Sequence, residues 1–400
     1  MNKFFFCIYL FLIALSGTEE LLAQSAPPAR LKYFGFALVD CNVDDPNDTT
    51  SMTNYITEVD SFSNIAQLYV NNCTDTIISR VNLMNDLCVK PILSTSGMFV
   101  YLANSNAPSG SNYDLYPDYL TRWNTFKTTN ASVLNSSQIE MIYVCDEPTW
   151  NGLTFGELDT ICTTIKNDFP DIPLIFVEGW PTLSKVQVPT TVDWIGFDHY
   201  GIADVSTDTT YLAWLDTLKS KRSTPNQRIM LVFDNEWNSS FWPAGWQPDT
   251  MEQVFEHYYD LAMADTNIIG LAGFTWPGIA PGWLGARSLP QNVIDKTAQI
   301  GQLIKANYDP CNTTAIQESE TKIQVKVYPN PSSGNFIIER DVKFNRYTVV
   351  NMLGEKIYDK FIFGYPTEIN LSGKPKGIYI LELQNAHNFD SSERIKLVMN

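Results

Sequence analysis

Eight short apolar runs, separated by longer amphipathic stretches, constrain this 400-residue chain more than any other feature. They are Lys32–Asp40, Asn64–Val70, Val89–Thr95, Ile139–Cys145, Ile172–Trp180, Val192–Tyr200, Arg228–Trp237 and Ile268–Trp276. The runs are continuous rather than alternating, the pattern of strands buried on both faces. Helical segments lie between them. One opens with Thr154 and Glu157 as a capping box and sets Leu158, Ile161, Cys162 and Ile165 on one stripe. Another opens with Thr250 and Gln253 in the same way and aligns Val254, Tyr258, Leu261 and Ala262. Residues 181–191 are too few for a full helix, so one helical position is degenerate. Strands and helices alternating over about 280 residues predict a (β/α)8 TIM barrel within 24–312. A doubly wound nucleotide-binding sheet would carry a glycine-rich turn after its first strand, and none is present.

The flanks differ from this body. Residues 1–23 combine Lys3, an apolar run from Phe4 to Leu15 and small residues before Gln24, the pattern of a cleaved signal peptide. The run is short for a bilayer span, and no later segment is long and apolar enough for a transmembrane helix. Six cysteines remain: Cys41, Cys73, Cys88, Cys145, Cys162 and Cys311. Their spacing contains no C-x-x-C, which argues against a zinc or redox motif. Cys41 and Cys73 each follow a strand, and they are the pair expected to bridge if any does; buried free thiols are the other reading. The formal charge is −17, yet Lys322–Asn400 holds eleven Lys/Arg against eight Asp/Glu. The acidic body excludes nucleic acid and polyanionic partners, and the shift marks a boundary, with 313–321 as linker. A monomer is expected.

From Lys322 the pattern becomes short alternating strands between Pro/Asn/Gly turns, a small antiparallel β-sandwich. Read from residues alone this is a separate β domain, with a carbohydrate-binding module left open. Tyr328-Pro329-Asn330-Pro331, Gly334, Phe336, the stretch from Asn351 to Lys356 around Gly354, Gly377-Ile378-Tyr379 and Lys396 together resemble the type A C-terminal sorting domain of the type IX secretion system. That resemblance implies the type IX machinery as partner, passage across the outer membrane, removal of the tail, and release or attachment at the cell surface.

In a (β/α)8 barrel, chemistry is carried at the C-terminal ends of the strands. There the fourth run gives Asp146-Glu147-Pro148, the fifth Glu178, the sixth Asp198-His199-Tyr200, and the seventh Asp234-Asn235-Glu236. Two opposed carboxyl groups are what glycosidic cleavage needs: one protonates the leaving oxygen, the other attacks or activates water. Trp150, Trp180, Trp237, Trp242, Trp246, Trp276 and Trp283 fall at or just past strand ends, where indoles serve as platforms for sugar rings. The arrangement resembles the clan A glycoside hydrolases. On that resemblance Glu147 is the acid/base, Glu236 the nucleophile, Tyr200 the tyrosine that bonds the nucleophile, and Trp276 the strand-eight tryptophan. Asp146, Glu178, Asp198, His199, Trp180 and Trp237 complete the expected substrate-binding set. Two departures stand out: Asp146 replaces the clan's asparagine, and the strand-two arginine is replaced by Asn71 and Asn72. The charge of Asp146 is expected to raise the pKa of Glu147.

No cofactor is expected. A metal site would use Asp146, Asp198, His199 and Asp234, but only three histidines exist in the chain. Asp44, Asp45 and Asp48 read as a solvated turn in preference to a calcium loop. The competing function is a cell-surface glycan-binding protein that kept the barrel without turnover.

Overall fold

A computed structural model describes residues 26–103, 106–240, 242, 245–311, 326–339, 346–352, 354–361, 367–385 and 388–400. The expected signal peptide and linker lie outside these residues. The chain divides into two compact units, Met1–Asn312 and Thr313–Asn400.

The first unit is a closed barrel of eight parallel strands. They are β1 (Tyr33–Asp40), β2 (Ile65–Leu68), β3 (Lys90–Ser94), β4 (Met141–Asp146), β5 (Leu174–Gly179), β6 (Trp194–Asp198), β7 (Arg228–Phe233) and β8 (Ile268–Gly273). Seven lie within the expected apolar runs and β4 extends one residue past its own, to Asp146; each pairs with its neighbours in sequence, β8 closing onto β1. Helices cover the outside. Between β5 and β6 the connection contains only the short 3-10 turn Trp180–Lys185, as its length requires.

Between strands and helices the core is aromatic: Phe34, Phe36, Phe233 and Phe255 interlock, with Phe233 and Phe255 4.4 Å apart between centroids. Inside the barrel, Tyr33, Ile65, Ile92, Met141, Ile175, Met230 and Ile269 form an apolar plug. Above it the inward positions include Ser94, Gly196 and Ala272, which leave a hollow open toward the C-terminal ends. A TIM barrel usually fills this space with branched side chains.

Two loops above the mouth are fastened together. Arg287 donates to Glu58 Oε1 at 2.9 Å and Oε2 at 3.0 Å, to Asp45 Oδ2 at 3.4 Å, and to Asp48. Asn47 reaches the Trp283 carbonyl at 2.9 Å. Asp45 and Asp48 are therefore part of an ion-pair clasp on the β8 loop, which corrects the solvated-turn reading for those two, while Asp44 is exposed and accepts from Met52 N.

Two further expectations are corrected. The capping box at Thr154 and Glu157 forms, and its helix Phe155–Asp168 buries the expected stripe. Thr250 instead donates its hydroxyl back to the Gln247 carbonyl at 2.7 Å and makes no side-chain cap on Met251–Ala264. The disulfide is Cys88–Cys311, not Cys41–Cys73. Cys41 is buried with its thiol donating to the Leu38 carbonyl at 3.1 Å, and Cys73 is a half-buried free thiol.

The second unit has two antiparallel sheets. One orders Lys326–Tyr328, Asn335–Glu339 and Thr367–Asn370; the other orders Lys356–Phe361, Arg346–Asn351, Gly377–Asn385 and Asn388–Met399. Phe336, Ile338, Val349, Ile369, Leu381 and Leu397 lie between them as a core of their own. Among the described residues, no helix is long and apolar enough to cross a membrane.

Candidate active site

The mouth is built around a local irregularity in β4. Tyr143 pairs with Ile175, but Asp146 pairs with Val177, so the register slips between them. A bulge of this kind re-aims side chains at a strand end. Glu147 follows with φ +41°, a left-handed conformation that a residue with a Cβ adopts only under constraint. The constraint is visible. Glu147 N donates to the Val177 carbonyl at 2.9 Å, and Asn151 N donates to the Glu147 carbonyl at 2.8 Å. The fully buried Glu178 braces the same loop, accepting from Thr149 N at 3.0 Å, Trp150 N at 3.2 Å and the Thr182 hydroxyl at 3.0 Å. Glu178 was expected to touch substrate; the Thr149 and Trp150 amides and the Thr182 hydroxyl occupy its carboxylate, and it is not among the described lining residues of the cavity.

Glu147 and Asp198 converge on one spot. A Cβ built on Gly179 would stand 2.2 Å from Glu147 Oε1 and 3.3 Å from Asp198 Oδ1. Tyr200 donates its hydroxyl to Asp198 Oδ2 at 3.3 Å, while Oδ1 has no hydrogen-bond partner among the described residues. Burial, then the charges of Asp146 and Glu178, push Glu147 up to about 7. Burial and the Glu147 charge hold Asp198 well above the usual carboxylate range. Asp146 opens to solvent and accepts the Tyr143 hydroxyl at 2.5 Å.

Across the mouth, Glu236 is buried, with the Trp283 indole N–H donating to its Oε2 and the Trp242 indole donating to its backbone carbonyl at 3.1 Å. Burial and the neighbouring Asp234 push it up to about 8, opposed by the Trp283 bond. Asp234 accepts from Gly201 N at 2.7 Å, and Asn235 donates to the Thr275 carbonyl at 2.8 Å, tying β7 to the segments beyond β6 and β8.

The cavity itself measures about 470 Å3. Asp146, Glu147, Asp198, Tyr200 and Phe274 line its upper wall, with Tyr69, Tyr113 and Tyr143 beside them. No lysine or arginine is among the described lining residues, and neither is Glu236. Arg80, from the helix after β2, is engaged by Asp40 at 2.7 Å.

The tryptophans divide. Trp180 is 42% exposed and stacks on His199 at 4.9 Å, so it presents a free face at the rim. His199 is itself buried between Trp180 and Tyr211, and burial lowers its pKa, leaving a neutral ring that supports the platform. Trp276 was expected to floor the sugar site. Instead it is 3% exposed, packs on Phe36 at 4.8 Å, and donates to Glu58 Oε2 at 2.6 Å, so it belongs to the core and the loop clasp. Trp237 is half-buried, held through its backbone to Leu284. Sequence reasoning passed over Tyr143, Tyr69, Gln67 and Ser94; their signal was the period-two inward register shared with Ile92 and Ile175. Among the described residues, the one set of three potential metal-ligand side chains that comes together is Cys88, Asp309 and Cys311, where the thiols are already joined. Asp146, Asp198, His199 and Asp234 do not converge in that way.

Comparison with known proteins adds three facts. Residues 326–398 match the family described as secretion system C-terminal sorting domain. No curated protein sequence matches the chain. Among solved structures, a GH113 beta-1,4-mannanase is 12% identical with TM-score 0.44, covering 71% of this chain and 99% of its own. Xylanase 10B from Thermotoga maritima is 12% identical with TM-score 0.44, covering 68% of this chain and 96% of its own. An endo-beta-1,4-mannanase from Cellulomonas fimi is 10% identical with TM-score 0.41, covering 94% and 98%. The molecule is thus a closed (β/α)8 barrel followed by a secretion sorting domain.

Proposed function

We propose that the protein is a secreted glycoside hydrolase acting on uncharged saccharides, retaining through two glutamates, with the sorting domain directing its export to the surface or medium. The observation that carries this reading is the paired placement of Glu147 after β4 and Glu236 after β7, both at the C-terminal ends of their strands, with Glu147 raised to about 7. A carboxyl protonated near neutrality is what a general acid requires. In this reading Glu147 protonates the leaving oxygen and Glu236 attacks the anomeric carbon. Glu147 then deprotonates the water that releases the sugar. Asp198 and Tyr200 connect the two halves, since Tyr200 bonds Asp198 and also feels the charge of Glu236. A lining without cations disfavours acidic sugars. Exposed Trp180 offers a stacking face at the rim.

One observation favours the alternative of glycan binding without turnover: Glu236 is capped by Trp283 and is absent from the described cavity lining. The deciding experiment incubates the secreted protein with a panel of uncharged glycans and follows the anomeric proton of the first product by NMR. Retained configuration, lost in Glu147→Gln and Glu236→Gln with the fold intact, is expected. Saturable binding without any product would establish the alternative.

A further inference from the structure

The hollow beneath the carboxylates has no part in the two-glutamate chemistry, and its walls are chemically uneven. Its upper rim is polar, with Asp146, Glu147 and Asp198. Its lower part is mostly aliphatic, formed by Ile92, Ile175, Val177, Met230, Val232 and Ala272, with Ser94 and Gln67 the polar side chains on the β3 and β2 side. The space exists because β6 and β8 present Gly196 and Ala272 where larger side chains would meet across the axis. The volume lies within the range of about 300–1,000 Å3 that buries small ligands. An unsubstituted sugar ring carries hydroxyls on nearly every carbon and would face these aliphatic walls with groups they cannot bond. Burying such a group without a partner forfeits its hydrogen bonds to water and disfavours that sugar.

Asp146 adds the second half of the pattern. Its Oδ1 takes the Tyr143 hydroxyl, and the residue is exposed where it lines the cavity mouth. A carboxylate there is an acceptor only, so it calls for a donor on the ligand. Asp198 Oδ1, on a residue only 7% exposed, is a second polar atom in the same wall that lacks a partner among the described residues. A small acyl group fits the aliphatic hollow, and the amide N–H that carries it fits the Asp146 carboxylate. An O-linked ester offers the methyl without the N–H, and a free amine offers the N–H without the methyl.

We propose that the pocket selects an N-acylated amino sugar, its acyl methyl seated in the hollow and its amide N–H donated to Asp146. This rests on the saccharide reading above and names its substrate class. The chemistry of the two glutamates is unaffected by which sugar they meet.

The test is calorimetric titration of the full secreted chain with three disaccharides: N,N′-diacetylchitobiose, its deacetylated counterpart and cellobiose. The diacetylated sugar is expected to bind about tenfold or more tighter than either of the others, the range that one apolar group confers in a fitted pocket. Ala272→Leu, which fills the hollow, is expected to abolish that preference, bringing the diacetylated sugar down to the affinity of the other two. Ala272→Val serves as the milder step, with thermal melting to establish that each variant is folded. Equal affinity for the three sugars overturns the proposal, as does a preference that survives Ala272→Leu in a folded protein. Binding of none of the three also overturns it; release of product from other uncharged glycans would then leave the hydrolase reading standing.

Discussion

Glu147 and Gly179 are matched: the carboxylate of one lies in the space that a side chain on the other would occupy, 2.2 Å from a Cβ placed there. The match sits where β4 and β5 end side by side, and it fixes where the general acid of the proposed reaction points. Gly179→Ala is therefore expected to fold, because the obstructed atom is the end of a flexible side chain. The displaced Glu147 loses its aim, and hydrolysis should fall by about 100-fold, the cost typical of a misplaced catalytic group. Melting curves beside initial rates check both halves of the expectation.

The carboxyls of the mouth make stability depend on pH in an unusual direction. Glu147, Asp234 and Glu236 sit at about 7, 7 and 8, above ordinary values of 4.5, 3.8 and 4.5. The folded state then holds protons that the unfolded chain has released. Their contribution to stability is complete below about 4 and is lost as pH rises through 7 and 8. The melting temperature should fall between pH 5 and pH 9. Glu236→Gln should flatten that slope and raise the melting temperature at pH 9. A slope unchanged in the variant would contradict the assignment.

Activity has its own pH signature. The general acid works while Glu147 keeps its proton, and the nucleophile works once Glu236 has lost its own. With both raised by burial, the optimum belongs near neutrality and not at the acidity of ordinary carboxylates. The Trp283 bond favours the ionised form of Glu236. Because Glu236 at about 8 lies above Glu147 at about 7, Glu236 sets the basic limb, and Trp283→Phe should move that limb upward and lower the plateau of kcat/KM, which a pH–rate profile resolves.

Arg287 holds together the loops after β1 and β8. Removing it leaves the fully buried carboxylate of Asp45 without its cation. Arg287→Ala should cost about 3 kcal/mol, the usual result of stranding one partner of a buried ion pair. Because Trp283 sits on the same loop, Glu236 should also become more accessible. Thermal melting and the reactivity of Glu236 toward a carboxyl-directed reagent report the two effects.

Deleting residues 322–400 should abolish export while leaving barrel activity in the purified protein. Fractionation of cells beside an assay of the isolated barrel separates the two.

The barrel was legible because each strand is buried on both faces, which writes it as an uninterrupted apolar run. Glu147 and Glu236 could be placed at its mouth for the same reason: strand ends can be counted. What could not be read was direction. Trp276 and Trp180 both end strands, yet one indole turns into the Phe36 cluster while the other faces solvent. Glu178 looked like a ligand for sugar until the Thr149 and Trp150 amides proved to reach it first. The disulfide was missed because Cys88 and Cys311 stand 223 residues apart, and only closure of the barrel brings their Cα atoms to 5.1 Å. The hollow followed from small residues at Gly196 and Ala272, whose meaning depends on what stands opposite.

The same cross-link bears on survival outside the cell. It ties the residue leading into β3 to one just beyond the last barrel helix, with Cys311 adjoining the boundary between the two units at 312 and 313. A protease that nicks any one loop between these cysteines leaves both pieces covalently attached, and trimming beyond Cys311 leaves the end of the barrel pinned. For an exported protein, a single cut inside that span therefore does not by itself release a fragment of the barrel.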